Sequence, residues 1–371
     1  MMVNALHVSA NTYPPLTAGE HNTKNIWREL SQGFDEYHIF ARSEDNTFSR
    51  TRMDNITLHL IPRITRRSWI FVFTSIYLFL LVKRNRITHI IAQSALLGGF
   101  SAALASRLFK IPLWVEIHGD VYFRYLERKT LTEKFLAIFV SFTFYTATRV
   151  RSLSSAMSDS LDTYGFRDNV VVVPNRVNLE LFECPRRNYA LGSPVRIISI
   201  GRFVEQKGYD IAIRAISQLS SRYSIELYLV GGGPLSKQLH YECKSVEGVK
   251  LFDWIEQAEL QSMMRSADIY IQPSKPFLGE AMPRTILEAM AMRLPIIASK
   301  IAAIPGILND GNAILIEPCS VSALVSALER LILDKQLREN LGEQAWNDAS
   351  NYFNWDDSFE MYRRRILAMK Y

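Results

Sequence analysis

The sequence predicts an α/β protein made of two consecutive doubly wound units, each a parallel sheet with crossover helices, and three observations support this. Short β-rich apolar runs alternate with helix-length segments along the chain, the pattern of parallel strands joined by helices. The rhythm breaks at a proline-containing stretch near 174–194 and then restarts. The length, 371 residues, exceeds what one hydrophobic core usually supports, so two domains of ordinary size are expected.

In the first half "ALHVSA", "THIIAQ" and "LWVEIHG" read as buried strands, each followed by a helix-length segment. In the second half the strands are "VRIISIG", "IELYLVGGG", "VKLFDW", "ADIYIQP", "PIIAS" and "AILIEP". Three of the segments that follow suit a phosphate. "SIGRFVEQKG" sets Gly201, Arg202 and Lys207 just past a strand, "LVGGGP" supplies Gly231, Gly232 and Gly233, and "PFLGEAMPRTILEAM" enters a helix. Ligands of open α/β sheets bind beyond the carboxyl ends of strands, so these loops are predicted to line one anion-accepting crevice. Pro234 and the missing G-x-G-x-x-G spacing argue against a nicotinamide cofactor. A tight turn needing positive φ explains the three glycines about as well as a ligand does.

With 48% hydrophobic and 22% charged residues the chain reads as a soluble globular protein. Cys184, Cys243 and Cys319 lie far apart with no paired spacing, which argues against a disulfide framework and a zinc cluster and points to a reducing cytoplasm. Asn4, Ser9 and Asn11 interrupt the first apolar stretch, so no signal-peptide core is expected. The net charge of +6 arises entirely in the first half: residues 1–180 hold 21 basic and 15 acidic residues, residues 181–371 hold 22 of each. Within it, residues 63–86, "RITRRSWIFVFTSIYLFLLVKRNR", place an apolar run between basic clusters. The run is shorter than the ~20 residues that span a bilayer. It reads as a buried helix or as an interfacial one whose cations meet anionic headgroups. Nucleic acid is disfavoured, because no binding motif accompanies the charge and the aromatics are not spaced as stacking platforms.

"GEAMPRTILEAMAMRLPIIAS", residues 279–299, places Glu280 and Glu288 with seven residues between them. A helix over 283–292 puts Glu280 in the preceding loop and Glu288 on the second turn, with the amides near Arg284 and Thr285 aimed at the crevice. Such a helix start suits a diphosphate. A carboxylate does not, so each glutamate is expected to accept hydrogen bonds from sugar or ribose hydroxyls or to stabilise positive charge. Arg202 and Lys207, placed at a helix start, oppose its dipole unless an anion compensates them.

"GRFVEQKG", "LVGGGP" and E-x7-E running into "EAMAMRLPIIAS", in that order, resemble the retaining glycosyltransferases of family 4, which have the GT-B fold of two Rossmann-like domains facing each other across a cleft. "YPPLTAGEHN", "VEIHGD", "VPNRVNLELF" and the ending "FNWDDSFEMYRRRIL" are similar to that family's first-strand loop, histidine loop, interdomain segment and terminal helix. The resemblance implies an acceptor-side domain over 1–183, onto which a terminal helix 356–371 packs back, and a nucleotide-sugar domain over 184–355. It implies that Glu280 faces the donor sugar and Glu288 the ribose, that Arg202 and Lys207 clamp the diphosphate, and that His118 hydrogen-bonds the sugar near its 6-position. Gly19 would let the backbone approach the phosphates. Ala281, Met282, Thr285 and Trp254 complete the donor site, Trp254 near the base. Tyr122, Phe123 and Tyr125 are acceptor-side candidates or a packed aromatic loop. Read without the resemblance, His118 is first a satisfied histidine at a strand end.

The resemblance also implies a front-face retaining mechanism with no covalent nucleophile, unlike retaining glycosidases. It implies a nucleoside-diphosphate sugar as donor, UDP-sugar ahead of GDP-mannose, and a saccharide or polyprenyl-linked acceptor at the cytoplasmic membrane face. No D-x-D pair occurs, so no metal is expected, and no other cofactor. The chain departs from the family at Ala18 before Gly19, at Ala281 and Pro283 after Glu280, and at Arg176 and Arg293, where small residues are usual. A nucleotide-sugar epimerase or hydrolase, and a non-catalytic partner, are the competing readings.

Overall fold

Continuous runs of Ile, Val and Leu form strands that can be covered on both faces, which parallel sheets require. A computed structural model describes residues 2–14, 21–62, 75–118, 121–182, 184, 186–276 and 282–371. The chain divides into two units, Met1–Val173 with Phe359–Tyr371, and Pro174–Ser358.

The strands of the first unit are β1 (Asn4–Tyr13), β2 (Glu36–Ser43), β3 (Ser49–Met53), β4 (Ile56–Ile61), β5 (His89–Ala92), β6 (Leu113–Glu116), β7 (Arg149–Ser152) and β8 (Val170–Val172). They form one sheet in the order β3-β4-β2-β1-β5-β6-β7-β8, parallel throughout except for the β3–β4 edge pair. In β1, Leu6 sits opposite His38 of β2 on one side and Ile90 of β5 on the other. Its helices are α1 (His21–Ser31), α2 (Ser75–Arg84), α3 (Leu97–Phe109), α4 (Val121–Glu127), α5 (Leu131–Thr146) and α6 (Ser155–Asp162). A capping box starts α5: the Thr130 hydroxyl accepts from the Glu133 amide and the Glu133 carboxylate from the Thr130 amide, which satisfies two amides otherwise left without partners.

The second unit carries β9 (Val195–Ile200), β10 (Ile225–Val230), β11 (Val249–Phe252), β12 (Ile269–Gln272), β13 (Ile296–Ser299) and β14 (Ile314–Ile316), all parallel in the order β11-β10-β9-β12-β13-β14. Each of the apolar runs read as strands forms one. Around the sheet lie α7 (Tyr209–Leu219), α8 (Ser236–Lys244), α9 (Gln257–Ser266), α10 (Arg284–Ala291), α11 (Val321–Leu333) and α12 (Lys335–Tyr352). In α7, Ile211, Ala212, Ala215, Ile216 and Leu219 repeat at helical spacing and are all buried, which fixes that face on the sheet. A last helix, α13 (Trp355–Leu367), starts in the second unit and finishes in the first. In the first unit its Tyr362 packs on Trp114, ring centres 5.2 Å apart, and its Arg363 donates to the Glu29 carbonyl at 2.8 Å.

Four of the described histidines, His7, His38, His59 and His89, are buried in the first sheet, and His7 and His59 shift furthest. His7 has Nδ1 2.8 Å from the Tyr37 hydroxyl, and burial pushes it down to about 4, against the opposing Glu116 charge. His59, 3.2 Å from His38, is pushed down to about 4 by burial and then by the His38 and Arg50 charges. Both folded values lie below the unfolded one. The unfolded chain therefore takes up protons first as pH falls, and the stabilisation is complete above about pH 6.5 and lost as pH drops toward about 4. Thermal midpoints measured across that window should fall steadily, and the fall should be shallower in His59→Gln.

Candidate active site

In the second unit the strand order reverses between β9 and β12, and ligands of such sheets bind beyond the strand ends at that point. The loops there are joined main chain to main chain. The Gly201 amide donates to the Val230 carbonyl at 3.0 Å, and the Phe203 amide to the Gly232 carbonyl at 2.9 Å. Gly208, with φ 66°, lies so close to the loop after β12 that a Cβ would sit 1.9 Å from the Pro273 carbonyl oxygen. At Gly232 a Cβ would instead meet Trp254 Nε1 at 2.6 Å, so the indole, 75% exposed, leans on the glycine loop.

Two kinds of cation stand beside these loops. Lys275 is neutralised by Glu205 at 2.7 Å and Asp210 at 2.9 Å. Arg202 is exposed and has no ion pair among the described residues. The stem of Lys207 lies against Gly201, whose Cβ would be 3.4 Å from Lys207 Cε. Among the described residues Arg202 thus offers positive charge without an ion pair where strand ends open, as an anion needs.

Past β12, α10 begins directly after Pro283, whose carbonyl accepts from the Ile286 amide at 3.2 Å, and no side chain caps the turn. Thr285 is on that turn, its hydroxyl 2.8 Å from the buried Tyr270 hydroxyl, which also donates to Gln272 Oε1 at 2.8 Å. Glu288 follows on the second turn, where burial raises its carboxyl and the Arg284 charge opposes the rise. Met282 is held from the other side: Asn175 Nδ2 donates to the Met282 carbonyl at 2.9 Å and the Asn175 amide approaches its Sδ at 3.1 Å. The second unit thus gathers Arg202, Lys207, Trp254, Met282, Thr285 and Glu288 on elements at one edge of its sheet. Glu280, Ala281 and Gly19 lie outside the described residues.

In the first unit His118 follows β6 and donates from Nε2 to Glu116 Oε2 at 2.7 Å. Glu116 is buried and also accepts from Tyr362 of α13, with Arg151 Nη1 at 3.5 Å. Burial alone would raise this carboxyl, but the hydrogen bond and charge of His118, then Arg151 and His7, hold it well below the usual carboxylate range. Of the α4 aromatics, Phe123 is buried and stacked on Tyr164 at 6.1 Å. Burial raises the Tyr122 hydroxyl, and neighbouring Ala95 and Ser94 oppose the rise. Tyr125 is half-buried.

Arg293 and Arg176 are accounted for away from these loops. Arg293 has φ 56°, a left-handed position that favours glycine, and its guanidinium binds Glu343 and the Cys184 carbonyl while lying over Trp346 at 3.8 Å. Arg176 lies over the Trp355 ring at 5.8 Å. Among the described residues no three His, Cys, Asp or Glu side chains gather as a metal site.

Fold and site define a GT-B protein. HepE of Anabaena, solved with UDP, superposes with a TM-score of 0.77 at 16% identity over 99% of this chain and 100% of that one. The model of Glycosyltransferase Family 4 matches residues 20–181 and that of Glycosyl transferases group 1 matches residues 186–348, and the chain belongs to this family of glycosyltransferases. CapJ of Staphylococcus aureus is 27% identical over 327 residues, covering 85% of this chain and 82% of CapJ. The amylovoran biosynthesis glycosyltransferase AmsK of Erwinia amylovora is 30% identical over 168 residues, covering 43% of this chain and 40% of AmsK.

The two glycine contacts predict opposite results for the same change. Gly208→Ala meets a main-chain oxygen at a positive φ and should cost more than ~2 kcal/mol. Gly232→Ala meets only an exposed indole free to swing away, so its midpoint should stay within about 0.5 kcal/mol of the parent while Trp254 fluorescence changes.

Proposed function

We propose that this protein transfers a hexose-type sugar, with retention, from a UDP-sugar to a lipid-linked saccharide in surface-polysaccharide assembly. The observation that supports it most is Arg202, an exposed cation without an ion pair among the described residues, beside strand-end loops packed too tightly for side chains. HepE, with the same fold, was solved with UDP, and AmsK serves amylovoran biosynthesis.

In this reading Glu288 accepts from the ribose hydroxyls, Trp254 lies near the base, and Arg202, Lys207 and the α10 start with Thr285 hold the diphosphate. Ala281 and Met282 present main chain to the donor, Gly19 lets the backbone near the phosphates, and Glu280 faces the sugar without bonding covalently to it. The anomeric C–O bond to the diphosphate breaks as the acceptor oxygen bonds to the same face, and the acceptor proton passes to the departing phosphate oxygen. Arg202 and Lys207 stabilise the charge that gathers there. Such donors are commonly worth 10²–10³ in rate, roughly 2.7–4 kcal/mol. His118 binds the sugar near its 6-position, and Tyr122 and Tyr125 stand on the acceptor side.

UDP in excess should raise the thermal midpoint by mass action, about 2.7 kcal/mol at a hundredfold excess over Kd, and a chelator should leave the rise intact. Lys207→Ala and Arg202→Ala should each abolish most of it and lower kcat/KM by about 10²–10³. A wild type that no nucleotide diphosphate stabilises would favour a non-catalytic protein. Release of free sugar at full rate without acceptor would favour a hydrolase.

The same reading places the protein on the cytoplasmic face of the membrane. Among the described residues no helix is long and apolar enough to cross one. Between Asp54 and Glu116 the chain has eight Lys and Arg and no acid. In that stretch α2 exposes Ile76 and Leu80 while burying Leu78 and Leu81, and its last turn bears Lys83 and Arg84. Most of the basic run before it, residues 63–74, lies outside the described residues. In the same helical layer α3 joins α2 through Phe79 and Phe109 and α5 through Phe100 and Phe139. There α5 exposes Leu131, Phe135, Ile138 and Tyr145, spaced as one helix face. Apolar side chains beside Lys83 and Arg84 match an anionic bilayer, at about 1 kcal/mol per cation near its surface. Vesicles containing anionic phospholipid should sediment the protein and neutral ones should not, and Phe135→Ser with Ile138→Ser should weaken binding about tenfold or more. Equal binding to both vesicle types would count against it.

A further inference from the structure

The Glu116 carboxylate is buried beneath His118, with one oxygen on the imidazole and the other on α13. Its Oε2 accepts from His118 Nε2 at 2.7 Å, while Oε1 accepts from Tyr362 and faces Arg151 Nη1 at 3.5 Å. Arg151 is fixed in turn, its Nε donating to the Val173 carbonyl at 2.8 Å and its guanidinium lying over the Tyr362 ring at 5.1 Å. The ring of Tyr362 packs on Trp114, two residues before Glu116 on β6. The carboxylate therefore cannot follow the imidazole if that ring turns. The His118 side chain is 42% exposed, and among the described residues its hydrogen-bond partner is Glu116.

An exposed imidazole rotates between two broad orientations and exchanges its proton between two nitrogens. A fixed, ionised carboxylate is only an acceptor, so it selects the orientation and tautomer that aim an N–H at it. We propose that Glu116 is the positioning residue of His118. It holds the ring in the Nε2–H form, so that Nδ1 is the nitrogen offered to substrate. Nδ1 then accepts, and its partner must be a donor: a sugar hydroxyl fits and a second acceptor does not. Tyr362 and Arg151 keep the carboxylate in register. The assignment of Nδ1 to a sugar hydroxyl rests on the proposed glycosyl transfer, whereas the tautomer does not.

Histidine-selective ¹H–¹⁵N spectra of the intact protein at mildly alkaline pH test this, with the His118 signals identified by their loss in His118→Gln. The wild type should give the Nε2–H pattern alone. Glu116→Gln should give a mixture of tautomers, Tyr362→Phe, which keeps the ring packing, a smaller admixture, and Glu116→Asp a return toward the wild-type pattern. With UDP-glucose as donor, Glu116→Gln should lower kcat about 10- to 100-fold with KM changed less than about threefold, and Glu116→Asp should restore part of the loss. A mixture already present in the wild type, or one untouched by both Glu116→Gln and Tyr362→Phe, overturns the proposal. A wild type inert toward UDP-glucose counts instead against the donor reading, and the spectra still decide the positioning.

Discussion

A parallel sheet places every strand's carboxyl end at the same edge, and the candidate site of the second unit follows from that constraint. Gly201, Gly231 and Pro273 are far apart in sequence, yet β9, β10 and β12 deliver them to one edge. Hydrogen bonds between main chains fix the loops, and at Gly208 and Gly231 neighbouring backbone occupies the space of a side chain. Cations on such loops cannot withdraw far from one another. Lys275 is quenched by two carboxylates, and that contrast gives the exposed Arg202 its meaning.

The first unit solves a different problem. Its sheet buries charge, with Glu116 and Arg151 both enclosed. A buried carboxylate is tolerated when several donors converge on it, and removing one leaves the remainder costly. Tyr362, Arg151 and His118 converge on Glu116 from α13, β7 and the end of β6, so the ion is at once a structural joint and a handle on the imidazole.

Strands of the parallel cores were legible because burial on both faces demands unbroken apolar runs, and "IYIQ" and "IIAS" leave little else to choose. The helix after Pro283 and the second-turn place of Glu288 were legible too, from helical spacing and the proline. The antiparallel β3–β4 edge was not, since "SRTRM" is polar and half-exposed and an edge strand need not advertise itself. Partnerships across long separations were also hidden. Tyr362 and Glu116 are 246 residues apart, and Asn175 and Met282 are 107 apart. Such pairs leave no periodicity, although the buried glutamate two residues before His118 was a signal that strand "LWVE" contained something more than packing. Arg293 was misleading in a useful way. Read as an intrusion where small residues are usual, it keeps the left-handed turn and spends its guanidinium on α12.

The first unit is discontinuous, since Phe359–Tyr371 belongs to it although Pro174–Ser358 forms the other unit. A chain leaving the ribosome completes most of the first sheet early, with the Glu116 carboxylate lacking its Tyr362 donor until the whole second unit has been synthesised. During that interval the nascent sheet holds an under-satisfied charge and an uncovered Trp114. The order of synthesis thus delays the first unit's final consolidation until the second unit exists.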